Sequence, residues 1–210
     1  MKNLQQLVNS MISSGVLKNP RIIDAFETID RKYFIPEEFE EYTYVDAPLP
    51  IGNNQTISQP TTVAFMLELL SPQDGNRILD IGSGSGWTVA LLCYLTGHKG
   101  GVVGLERIDE LAEMGQKNIS KFKFDSPCAI EKSGETLGKP GEKFDRILVS
   151  ASAEEIPEEL FDQLEIGGIL VIPIQNSIFR YQKISEHEIK QQEYPGFAFV
   201  PLIYRPEEMR

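Results

Sequence analysis

The chain has 210 residues, 41% of them hydrophobic and 24% charged, which is an ordinary globular composition with length enough for one full core. Its formal net charge of -11 (20 basic against 31 acidic side chains) argues against a broad nucleic-acid surface, which needs clustered Lys and Arg to displace counterions. No apolar run reaches the length of a membrane span and the first residues carry no apolar leader core, so a cytoplasmic protein without membrane contact is expected.

Two short helices are expected first. Leu4, Leu7, Val8, Met11 and Ile12 recur at the i, i+3, i+4 spacing. Asn19-Pro20 reads as a cap followed by Pro in the first turn, and Ile22, Ile23, Phe26 and Ile29 continue one apolar face. Residues 43–58 hold Pro48, Pro50, Gly52, Asn53 and Asn54 and read as an irregular loop. Pro60 then opens a helix with Val63, Met66, Leu67 and Leu70 on one side.

From Asn76 onward strands and helices alternate. The pattern predicts strands over residues 77–81, 102–105, 144–149 and 168–174. Between them it predicts helices over 87–94, over 109–118 with Asp109 as cap, and over 157–164. The tail, about 179–203, reads as strands with no long helix. Such alternation implies an α/β fold with a Rossmann-like, mostly parallel, doubly wound sheet, an antiparallel C-terminal addition and N-terminal helices. No repeat is visible, and 1–210 reads as a single domain. Cys93 lies in the apolar helix pattern Val89-Ala90-Leu91-Leu92-Cys93, and neither a disulfide nor a metal site with Cys128 is expected.

The strongest chemical signal is Ile78-Leu79-Asp80-Ile81-Gly82-Ser83-Gly84-Ser85-Gly86-Trp87, where a strand ends, a glycine-rich turn follows and a helix begins. In an open parallel sheet, ligands bind in the crevice at the carboxyl ends of the strands. Dinucleotide enzymes use G-x-G-x-x-G, but the sixth position from Gly82 is Trp87. The spacing is G-x-G-x-G after Asp80, which suits a ligand with an amino-acid moiety better than a pyrophosphate. Glu106 ends the next strand, 106 − 86 = 20 residues past the last glycine, where an acid can accept from both ribose hydroxyls. An adenosyl ligand is the expected reading, and a dinucleotide is the chief competitor. A surface Glu beside a simple Gly turn is the bland alternative.

A second segment, Val45-Asp46-Ala47-Pro48-Leu49-Pro50-Ile51-Gly52-Asn53-Asn54-Gln55-Thr56-Ile57-Ser58-Gln59-Pro60, closely resembles the protein-L-isoaspartate (D-aspartate) O-methyltransferases. Their pattern there is D-x-P-L-P-I-G-x-G-Q-T-I-S-x-P. Asp30-Arg31-Lys32-Tyr33-Phe34-Ile35-Pro36, Gly104-Leu105-Glu106-Arg107-Ile108, the stretch from Phe144 to Ala151, the stretch from Gly167 to Pro173 and the closing Ala198-Phe199-Val200-Pro201-Leu202 extend the resemblance over nearly the whole chain. It implies a class I methyltransferase fold. It also implies S-adenosyl-L-methionine as cofactor, S-adenosyl-L-homocysteine as product, and damaged proteins carrying isoaspartate as partners. By the same resemblance Ser58 is the active-site residue. Thr56 and Ile57 help hold the isoaspartyl carboxylate, backbone near Ala198, Phe199 and Val200 holds the peptide, and Asp80, Gly82, Ser83, Gly84, Glu106 and Arg107 bind the cofactor. Residues 1–59 would then supply helices and the active-site loop, and 60–210 the cofactor sheet and substrate strands.

This chain departs from the family pattern in two places. Gly52-Asn53-Asn54-Gln55 replaces G-x-G-Q, and Asn tolerates a positive φ better than most residues. The family's G-D-G, whose Asp contacts adenine, falls on Ser133-Gly134, with Ser133 or Glu135 as substitute acceptor. A competing reading of Ser58 is a helix N-cap or Ser turn before Pro60.

The chemistry asks for little acid–base help, because an aspartyl-type carboxylate, with a pKa near ~3.9, is ionised at neutral pH and is its own nucleophile. His98 and His187 both read as surface residues. No metal is expected. A monomer is expected because no long apolar face stands out. The alternatives are a methyltransferase of this fold with another acceptor, or a non-catalytic cofactor-binding module.

Overall fold

The computed structural model describes residues 3–204. The first helix, α1 (Leu4–Ser13), starts on a reciprocal capping box: Asn3 accepts from the Gln6 backbone N–H while the Gln6 side chain accepts from that of Asn3. α2 (Pro20–Thr28) starts as the sequence implies, with the Asn19 side chain accepting from the Arg21 N–H and Pro20 in the first turn. α3 (Pro60–Leu70) opens on Pro60.

The stretch read as an irregular loop instead contains a hairpin, β1 (Leu49–Gly52) and β2 (Gln55–Ile57), paired antiparallel. Its two-residue turn is Asn53-Asn54, with φ of 51° and 56°. Two successive left-handed residues are what a right-twisted two-residue hairpin requires, and Asn is the side-chain-bearing residue that adopts them most readily.

The main sheet holds β3 (Arg77–Ile81), β4 (Gly101–Glu106), β5 (Cys128–Lys132), β6 (Phe144–Val149), β7 (Leu164–Ile174), β8 (Ser177–Ser185) and β9 (Glu188–Pro195) in the order β5-β4-β3-β6-β7-β8-β9. The first five are mutually parallel, and β8 and β9 add as antiparallel neighbours. α4 (Trp87–Thr96) links β3 to β4, and α5 (Asp109–Ile119) links β4 to β5. The chain then returns to place β6 on the other side of β3, so the strand order reverses there. That reversal opens a crevice at the carboxyl ends of β3 and β6.

Side chains alternate across this sheet with period two. Ile78, Leu148, Ile169 and Val171 join a core shared with the five helices, while Leu79, Ile147, Val149, Leu170 and Ile172 join a second core on the opposite face. The second core is capped by loop and 3₁₀ side chains such as Leu137 and Leu160. The expected helix over 157–164 is only a 3₁₀ turn, Glu158–Leu160. Leu164 is recruited into β7 opposite Phe144, and the Phe144 N–H donates to the Gln163 carbonyl, which leaves no room for a second helical turn.

Two further expectations are corrected. Asp109 does not cap α5: it is the first helical residue, and its carboxylate pairs with Lys132. Cys93 and Cys128 form a disulfide, with Cα atoms 6.1 Å apart. α4 packs across β4 and β5 and so brings together residues 35 apart in sequence, a juxtaposition that spacing does not reveal. No helix among the described residues is long and apolar enough to cross a membrane.

Candidate active site

The crevice at the ends of β3, β4 and β6 is a cavity floored by the glycine loop. The Gly82 and Ser83 N–H groups both donate to the Leu105 carbonyl (2.8 and 3.1 Å), which folds the loop back onto the end of β4. Gly86 precedes α4 at φ 89°, and a Cβ there would lie 2.9 Å from Ile130 Cδ1 and 3.0 Å from the Gly115 carbonyl. Only glycine fits. No side chain caps α4, so its first N–H groups stay free of side-chain partners.

Glu106 is buried at the cavity wall. One carboxylate oxygen accepts from the Gly84 N–H and the other from the Ile108 N–H, both at 2.9 Å. Two of about four lone-pair positions are thereby fixed, and the remainder are available to a pair of ligand hydroxyls. The Ser83 hydroxyl is buried in the same wall and has no partner among the described residues. Arg107 also lines the cavity.

Asp80 is not on the wall. It is fully buried beneath the loop, accepting from the Thr88 hydroxyl at 2.5 Å and the Ser150 hydroxyl at 3.4 Å. Thr88 and Ser150 line the cavity in its place. Burial pushes the Asp80 carboxyl up to about 7, against the opposing pull of those two hydrogen bonds.

At the far end, Ser133 and Gly134 line the cavity, and the Ser133 N–H donates to the Glu106 carbonyl at 2.8 Å. Glu135 is exposed and does not line it. Thr136, Leu137 and Gly138 do, and no motif or spacing in the sequence marks them.

The hairpin forms the roof, with Gln55, Thr56, Ile57 and Ser58 on the cavity. The Ser58 hydroxyl has no hydrogen bond among the described residues, although the Ser58 carbonyl accepts from Arg31 at 3.1 Å. The competing reading of Ser58 as a helix cap fails on two observations. The N-cap of α3 is Gln59, which makes no capping bond. Asp46 does that work instead, accepting from the Thr61 N–H at 2.9 Å and from the Thr61 hydroxyl at 2.7 Å.

The last wall is the extended segment Val200–Tyr204. It was expected as a strand, but it makes a single parallel bridge at Ser152–Pro201. The Ser152 N–H donates to the Val200 carbonyl and the Leu202 N–H to the Ser152 carbonyl, both at 2.8 Å. Pro201 has no N–H with which to extend the ladder on its other side. Ala198 and Phe199 do not line the cavity, and Phe199 packs against the helical core. His98 and His187 are exposed and lie away from it.

The family model for protein-L-isoaspartate(D-aspartate) O-methyltransferase matches residues 2–207. The chain belongs to this family. A protein-L-isoaspartate O-methyltransferase of Methanopyrus kandleri is 39% identical over 204 residues, spanning 95% of this chain and 90% of that one. One of Ignicoccus hospitalis is 35% identical, spanning 95% and 96%. The fold is shared as well. A Plasmodium falciparum protein-L-isoaspartate O-methyltransferase, solved in complex with S-adenosyl-L-homocysteine, superposes with a TM-score of 0.83 at 25% identity. That match covers 98% of this chain and all of the other. The family's cofactor, S-adenosylmethionine, fits the cavity described above. The remaining lone pairs of the Glu106 carboxylate, the Ser83 hydroxyl and the uncapped start of α4 supply acceptors and donors that no side chain among the described residues uses.

Proposed function

We propose that this chain transfers a methyl group from S-adenosylmethionine to the free carboxylate of L-isoaspartyl residues, which is the α-carboxylate because the peptide bond runs through the β-carbonyl, and of D-aspartyl residues, in damaged proteins, as the first step of their repair. Ser58, which lines the cavity together with the glycine loop and Val200 and whose hydroxyl makes no hydrogen bond among the described residues, carries this reading. When bound, the cofactor supplies an electrophilic methyl on a cationic sulfur. Gly82, Ser83, Gly84, Glu106 and Arg107 would hold it, Ser133 and Gly134 with Thr136 would face its adenine end, and Asp80 supports the loop through Thr88 and Ser150. Among the described residues, those before Pro60 supply the roof and those from Pro60 onward the cofactor floor and peptide wall.

The reaction joins a carboxylate oxygen to the methyl carbon as the carbon–sulfur bond breaks, leaving a methyl ester and S-adenosylhomocysteine. No proton has to be removed, because the carboxylate is already ionised at neutral pH. A cavity whose charged lining is Glu106 and Arg107, with both histidines elsewhere, suits such a reaction. The work of the protein is placement and water exclusion. Ser58 donates to the carboxylate and turns one oxygen toward the methyl, while Thr56, Ile57 and the backbone at Val200 hold the peptide on either side. The Val200 edge replaces the wider Ala198–Val200 stretch as the peptide wall, since only Val200 of the three reaches the cavity.

Paired peptides differing only in isoaspartate against aspartate test the reaction. The expected product is a base-labile ester, about 14 Da heavier (one CH₂), on the isoaspartyl peptide alone. No ester on either peptide, despite cofactor binding, would overturn the assignment. Ser58→Ala should lower turnover about 10- to 100-fold, the worth of one hydrogen bond to a charged group, with S-adenosylhomocysteine affinity retained.

A further inference from the structure

Arg31 does not touch the cavity, yet it is the largest fully buried side chain, 1% exposed. It opens the 3₁₀ turn Arg31–Phe34 and lies over the Trp87 ring, its guanidinium carbon 5.5 Å from the centroid. Its Nη1 donates to the carbonyls of Thr43 (2.9 Å) and Val45 (3.3 Å), and its Nη2 to those of Ala47 (2.9 Å) and Ser58 (3.1 Å). It forms no ion pair among the described residues, and its Nε–H is buried without a partner. Burial lowers its pKa to about 10, partly offset by the charge of Asp46, so it stays charged at neutral pH.

A buried charge without a counter-ion is costly, and such groups persist where their donors are directed at something. Here all four acceptors belong to one stretch of backbone, 43–58, which carries the hairpin and ends on Ser58. The far side of that stretch is held as well. Asp46 accepts from Gln59 Nε2 (3.1 Å), from the Thr61 N–H and from the Thr61 hydroxyl. Ser58 therefore has its carbonyl fixed by Arg31 and its following residues fixed by Asp46, with its hydroxyl left over.

We propose that Arg31 is a positioning residue of the methyl-accepting site, which clamps residues 43–58 together with Asp46 so that the Ser58 hydroxyl faces the substrate carboxylate. The proposal rests on the reading of Ser58 given above. A planar fork is needed, because the four carbonyls are reached from two nitrogens held at fixed separation. A lysine offers three donors on one atom and cannot span them.

The experiment uses the whole chain carrying Arg31→Lys or Asp46→Ala. Turnover on an isoaspartyl peptide, peptide KM, S-adenosylhomocysteine Kd and amide hydrogen exchange are measured for each. With Arg31→Lys we expect turnover to fall 10- to 100-fold and peptide KM to rise. The S-adenosylhomocysteine Kd should stay within threefold, and faster exchange should be confined to amides of 43–58. Turnover within threefold of the parent chain would overturn the clamp. So would a parallel loss of cofactor affinity with faster exchange throughout the helical core, which would make Arg31 a general fold support. If Arg31→Lys does not fold, Asp46→Ala is judged by the same criteria. The two readings fail separately: full turnover in Ser58→Ala removes the role of the hydroxyl, whereas full turnover in Arg31→Lys removes the clamp.

Discussion

Asp80 is a fully buried carboxyl with no ion pair among the described residues. Its two hydrogen bonds come from neutral hydroxyls, and the charge of another acid, Glu106, further disfavours its ionisation. Its pKa is raised from 3.8 to about 7, chiefly by burial. The folded chain thus holds this proton more tightly than the unfolded chain does. The stabilising contribution is fully present below about pH 3.8 and is lost as pH rises through about 7. Between those limits the slope is on the order of 1.4 kcal/mol per pH unit. Asp80→Asn should therefore gain on the parent chain as pH climbs through that window, as read by urea unfolding at several pH values. A difference between the two proteins that is constant with pH would show that Asp80 does not titrate this way. The sequence made this acid visible as part of the glycine motif but not its direction, since spacing cannot say on which side of a turn a carboxylate points. The same limit hid the free state of the Ser58 hydroxyl, which depends on Asp46 fifteen residues before Thr61 taking over the cap.

Elements with internal periodicity were legible almost to the residue. β3 and β6 lie where the apolar pattern puts them, and α2 and α3 begin at the prolines that announce them. Elements decided by a neighbour were not. The hairpin was hidden by its own turn chemistry, because Pro48, Pro50, Gly52 and two asparagines read as loop residues until their pairing is known. The 157–164 segment failed as a helix because β7 claims its last residue. The disulfide likewise belongs to the packing of α4 against β5 and not to either element alone. Closing a loop of 35 residues restricts the unfolded chain by about 4 kcal/mol. Cys128→Ser should lower stability by up to that amount and make the protein insensitive to added reductant. A parent-like denaturation midpoint in Cys128→Ser, with a parent midpoint that reductant does not move, would mean that the link adds nothing.

For the molecule as a whole, the floor and the walls of the cavity have different origins. The floor is built from consecutive β-α-β units, whose helices pack on the strands they join. The roof comes from residues before Pro60 and the last wall from residues after Pro195. Cofactor binding should depend mainly on the floor and stabilise the whole fold by mass action. At a concentration 100 times its Kd, S-adenosylhomocysteine should add about 2.7 kcal/mol, or roughly 5–10 °C in Tm for a chain of this size. A Tm that does not move would mean that the folded chain does not bind S-adenosylhomocysteine. The position of the last wall also fixes an order of events at the ribosome. Chains grow from the amino end at about 5–20 residues per second. Ser152 therefore emerges with β6 long before Val200 and Leu202 exist to bond to it. The nascent chain can complete the glycine-loop floor before it can complete the wall at Val200–Tyr204, so on the proposed reading of that wall the grip on the peptide is the last part of the site to be closed.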